Sequence, residues 1–203
     1  MTKPRLQVAA LVGFGSCVAC VTILHFVRPD LPPPAHRLSE YANGPYGWLM
    51  AMAFVGLSGG LGALGARLWK GPADRSTWIA ATAAVVAAAG SLVAGVFRTD
   101  TSPLNEAIHS GASTMAVLAV VILATVHTFT RPPGGDSHDP LAVVLAVSGA
   151  ALVIVSPILH ETRWTGLSQR LLWAALLLWL FRAASSISSG GNAHDQVGHR
   201  ADH

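Results

Sequence analysis

Imidazoles, carboxylates, an amide and a guanidinium recur at three places in this chain, each beside a long apolar stretch. The first holds His36, Ser39, Glu40 and Tyr41, the second Asp100, Glu106 and His109, the third His160, Glu161, Gln169 and Arg170. Two chemistries suit these types. His36, Asp100, His109 and His160 supply nitrogen and oxygen donors fit for a divalent metal such as zinc, whose bound water would be activated for hydrolysis or transfer. Without a metal, Glu40 or Asp100 can serve as acid and His109 or His160 as base. His36, Ser39, Tyr41, Gln169 and Arg170 would then bind the substrate, Arg170 as an anchor for phosphate or carboxylate.

Spacing tempers both readings. The donors are scattered over three segments and lack the tight spacing of a metal site that can be read from sequence. Glu106 and His109 lie three apart and so share a helical face, but dinuclear bundle sites use two such pairs with further carboxylates.

The elements that position these residues follow from composition. Of 203 residues, 52% are hydrophobic and 11% charged, and the mean hydropathy is +0.50. That is the profile of a polytopic membrane protein, because a helix needs about 20 mostly apolar residues to cross hydrocarbon with its backbone amides satisfied internally. Six segments qualify: Gln7 to Val27, Tyr46 to Leu68, Thr77 to Phe97, Gly111 to Phe129, Leu141 to Leu159 and Trp164 to Ala184. The uninterrupted apolar core of the sixth runs only from Leu171 to Phe181, so Gln169 and Arg170 enter its outer layer. The expected architecture is all-α, one compact six-helix transmembrane domain over residues 1–184, followed by a disordered polar tail over 185–203.

Alternating spans bring all three polar segments to one side. Lys3, Arg5, Arg67, Lys70, Arg75, Arg131, Arg182 and Arg200 fall on the other, against Arg28, Arg37, Arg98, Arg163 and Arg170, which places both termini in the cytoplasm and the polar clusters outside the plasma membrane. The net charge of +3 reflects this ordinary topology and points to no nucleic-acid partner.

Other features read as structural. Cys17 and Cys20 form a C-x-x-C in the middle of an apolar span without a second pair, as packed thiols would. Gly56, Gly59, Gly60, Gly62 and Gly65 in the second span, and the Ala-rich third span with Gly90 and Gly95, allow close helix approach. Trp48 and Trp164 fall at the proposed outer interface, Trp69 and Trp78 at the inner one. Pro32 to Pro34 stiffen the first outer loop.

Four short runs then carry a family resemblance: His36 to Tyr41 (H-R-L-S-E-Y), Gly95 to Asp100 (G-V-F-R-T-D), His109 opening the fourth span, and Gly166 to Arg170 (G-L-S-Q-R). Together they resemble the bacterial and archaeal six-span membrane proteins catalogued as domain of unknown function number 998. The resemblance implies a six-helix fold with an outward polar cluster, and it implies no activity.

Carboxylates and lysines are nearly absent from mid-span, which disfavours ion-driven transport. The reading that fits best is a membrane protein whose outward polar pocket binds a lipid-like or amphiphilic small molecule, with membrane lipids as its partners. The alternatives are an enzyme acting on a lipid at the outer interface, metal-dependent or not, and a structural or pH-sensing protein using His25, His36, His109 and His160.

Overall fold

Polar residues start several helices where the apolar runs begin. Asp74 caps the third helix, its carboxylate accepting from the Thr77 backbone at 2.8 Å. Hydrogen bonds from Ser76 and Thr77 hold its carboxyl down to about 2. Ser102 caps the fourth, accepting from the Asn105 amide at 3.2 Å, and Pro103 fills the first helical position, where no amide bond is lost.

The computed structural model describes residues 2–71, 74–99, 101–130, 139–158 and 162–186. Among them are six α-helices: α1 Lys3–Val27, α2 Gly47–Trp69, α3 Arg75–Val96, α4 Pro103–Phe129, α5 Pro140–Ile158 and α6 Thr165–Ser186. A short 3-10 helix, Leu38–Ala42, lies in the loop between α1 and α2, and the described residues contain no strand. The all-α expectation holds. By length and composition α1 to α4 can each cross a membrane, while the apolar part of α5, Pro140–Val155, is shorter. Asp100, His160 and Glu161 lie outside the described residues, as does the tail beyond Ser186.

One boundary differs in a way that matters for the site. The fourth helix starts at Pro103 rather than near Gly111, so Glu106 and His109 both sit in its first turns, ahead of the apolar span. The Ser102-Pro103 start explains the difference, because cap and proline together nucleate a turn that hydropathy alone does not register.

Large apolar side chains cover the outside of the bundle as well as its core. The buried face of α3 is almost all alanine, including Ala80, Ala84 and Ala87, whereas Val12, Phe26, Val55, Val85, Ile122 and Ile154 point outward. Small residues let backbones meet where lipid supplies no hydrophobic drive. A Cβ added to Gly13 of α1 would sit 2.6 Å from both Gly56 O and Gly60 N of α2, and one added to Gly90 of α3 would sit 2.8 Å from Ala112 O of α4. Cys17 is buried and Cys20 half-buried, and both are unpaired. At the end carrying the termini, the buried Arg67 donates to Ala184 O at 2.9 Å, Arg182 pairs with Asp139, and Trp69 stacks edge-on against Trp78.

Candidate functional site at the end where the loops converge

The opposite end of the bundle collects the polar residues. The loop after α1 is clamped by Arg28, which pairs with Asp30 at 2.7 Å and donates to Asn43 O at 2.6 Å. Asn43 in turn donates to Thr99 O at 3.1 Å, tying this loop to the one after α3. Gly44 and Tyr46, both at positive φ, turn the chain into α2.

Within that loop the 3-10 turn is held by Glu40. One carboxylate oxygen meets His36 Nδ1 at 2.6 Å, and the other accepts from the Arg37 backbone at 2.8 Å. Burial pushes the Glu40 carboxyl up, but these bonds and the Arg37 charge outweigh it and leave the group below the usual carboxylate range. Arg37 also reaches Glu106 of α4 at 3.6 Å.

The α6 residues fasten the same loop from the other side. Gln169 Oε1 accepts from the Leu38 backbone at 2.7 Å. Arg170 donates through Nη1 to Pro33 O at 2.7 Å, His36 O at 2.6 Å and Gly166 O at 2.9 Å, and through Nε to His25 Nε2 at 2.9 Å. Its Nη2 reaches the Tyr41 hydroxyl at 3.3 Å, and the guanidinium lies over the Tyr41 ring. Gly166 is required here, since a Cβ would fall 2.3 Å from both Pro33 O and His36 O. His25 Nδ1 meets Val21 O at 2.7 Å, so it must donate there and use Nε2 as acceptor.

His109 serves the end of α3. Its Nδ1 lies 2.9 Å from Ala94 O and 2.8 Å from Phe97 O, carbonyls that a helix C-terminus leaves without intrahelical partners.

Below this cap lies a cleft of about 1100 Å³. Val21, Met50, Phe54, Leu57, Val117, Trp173, Leu177 and Phe181 form apolar wall, while Arg37, Ser39, His109, Gln169 and Arg170 line it at the polar end. Ser113 and Thr114 carry polarity further along α4. Such a volume lies just above the usual range for small-molecule sites.

The expected site residues thus divide. Ser39, His109, Gln169 and Arg170 reach the cleft, whereas His36, Glu40 and Tyr41 brace the loop behind it. Asp100 and His160 fall outside the described residues. Among the described residues no three His, Cys, Asp or Glu side chains come close enough together to hold a metal ion. His25, which the sequence offered only among the possible pH-sensing histidines, is a direct partner of Arg170. Its signal was positional: a cation entering the membrane interface needs an acceptor, and His25 ends α1 where Arg170 begins α6.

Long apolar helices, small-residue contacts between them and a polar cap at one end define a helical, multi-pass integral membrane protein. A family model described as Protein of unknown function (DUF998) matches residues 11–186. The chain belongs to that family. No curated protein and no solved structure matches it.

Proposed function

We propose that this protein binds a lipid-like or amphiphilic small molecule in the capped cleft. One observation carries the reading: a cavity of about 1100 Å³ is apolar along most of its walls and polar at the end closed by Ser39, Gln169 and Arg170. An amphiphile matches both ends, its chain replacing lipid contacts and its head meeting fixed polar groups. The catalytic alternative has less support, because both Glu40 oxygens are engaged in holding the loop.

Filling the cleft tests the reading. Val117 is half-buried and lines the cavity, so Val117→Trp adds bulk where the chain would lie. Protein purified in mild detergent and extracted with organic solvent should release a bound amphiphile at near-equal molar amount from wild type and several-fold less from Val117→Trp. Equal release from both, with both monodisperse, would remove the cleft as the binding site.

The basic residues favour placing the cleft on the extracytoplasmic face of the plasma membrane. Ala35 is exposed in the capping loop. In intact cells, Ala35→Cys in a background lacking Cys17 and Cys20 should react with a membrane-impermeant maleimide. Labelling only after the cells are opened would reverse the orientation.

A further inference from the structure

The head group can be narrowed by asking which polar atoms at the cleft are still unused. Ser39 is 6% exposed and His109 5%, and both line the cleft. Ser39 makes no side-chain hydrogen bond among the described residues, and its hydroxyl is not sealed off from the cleft. His109 gives its Nδ1 hydrogen to the Ala94 and Phe97 carbonyls. In the neutral ring the other nitrogen, Nε2, is then a lone-pair acceptor. The cleft therefore offers one group that donates or accepts and one that accepts, with the Ser113 and Thr114 hydroxyls beyond them.

The two arginines that line the cleft, Arg37 and Arg170, offer little to an anion. Arg37 lies between Glu40 at 3.4 Å and Glu106 at 3.6 Å. Arg170 is directed into its ring of carbonyls, His25 and Tyr41. A phosphate would have to draw a guanidinium out of bonds that hold the cap in place, and its oxygens would face the lone pair of His109 rather than a hydrogen.

We propose that the cleft takes an uncharged, hydroxyl-bearing lipid head group, of the acylglycerol or long-chain alcohol class, which donates to His109 Nε2 and bonds to Ser39. This rests on the amphiphile reading above and specifies its polar end. A head-group hydroxyl supplies the hydrogen that Nε2 lacks, and a head-group oxygen accepts from Ser39 Oγ. The apolar walls take the chains.

The test compares two probes with the same chains and different heads, dioctanoylglycerol and dioctanoyl phosphatidate, bound to the full-length protein in detergent and read by native mass spectrometry. Val117→Trp supplies the filled-cleft background. The glycerol lipid should bind about tenfold tighter than the phosphatidate, the scale of one hydrogen bond gained against one lost. Ser39→Ala and His109→Asn should each weaken the glycerol lipid by about fivefold to tenfold. Asn in place of His109 keeps a donor for the α3 carbonyls while removing Nε2, so the helix end stays bonded, and Ser39→Ala gives an independent reading if it does not. Phosphatidate binding as tightly or more tightly would overturn the uncharged head group and leave the amphiphile reading standing. Binding of neither probe above the Val117→Trp background would overturn the amphiphile reading itself. Preference for the glycerol lipid that survives both substitutions would remove Ser39 and His109 as its contacts.

Discussion

Gly13→Leu is expected to cost more than about 3 kcal/mol and to prevent α1 from seating on α2, whereas Gly15→Leu, two residues on, leaves stability nearly unchanged. The contrast is geometric. A Cβ at position 13 meets Gly56 O and Gly60 N at 2.6 Å and Gly60 Cα at 2.8 Å, all backbone atoms that move only if the helices separate. At position 15 it meets nothing within 4 Å. Gly13→Ala falls between: one methyl overpacks the contact, but alanine recovers up to about 1 kcal/mol of helix propensity. Thermal loss of the monodisperse folded species in mild detergent reads the order of the three variants. Equal midpoints for Gly13→Leu and Gly15→Leu would mean that the α1–α2 contact does not limit stability.

That contact also shows where sequence reading stops. Composition and span length gave the all-α class, and five glycines marked α2 as a packing helix. Yet those glycines do different things. Gly56 and Gly60 meet α1, Gly65 meets Ala84 and Ala81 of α3, while Gly59 and Gly62 face open space. The spacing is the same whichever neighbour lies opposite, so only the assembled bundle distinguishes them. The polar cluster behaves similarly. That Gln169 and Arg170 lie at the same end as the first loop was legible from the alternation of the spans. What they bind was not, because Leu38 N, Pro33 O and His36 O belong to the backbone, and a backbone acceptor leaves no trace in residue type. For the same reason His109, expected as ligand or base, turns out to hold the carbonyl end of α3 with one nitrogen. The other nitrogen has no hydrogen-bond partner among the described residues, and that separation of roles appears only with the ring in place.

Arg170→Lys keeps the charge and should still lose about 2 to 4 kcal/mol of stability, with the loop cap detaching from α6. The wild-type guanidinium joins four elements from one plane: His25 on α1, Pro33 and His36 in the loop, Tyr41 on the 3-10 turn and Gly166 opening α6. An ammonium carries three hydrogens on a single atom and cannot reach His25 Nε2 and the Tyr41 hydroxyl while still serving the carbonyls. The part-buried His36 carbonyl left without this donor retains part of its desolvation cost, which adds to the loss of the bonds themselves. If charge alone held the cap, lysine would serve as well as arginine and Arg170→Gln would be far worse than Arg170→Lys. The geometry instead ranks the two close together. Limited proteolysis across residues 32–45 separates the views: faster cleavage in both variants, with a lowered unfolding midpoint, is the expected result. Protection in Arg170→Lys equal to wild type would show that the fork of hydrogen bonds is dispensable. The same variant also bears on the cleft, since Gln169 and the Arg170 cage hold Leu38 and Ser39 over its polar end. On the proposed amphiphile reading, a detached cap should therefore release the ligand even though the apolar wall is untouched.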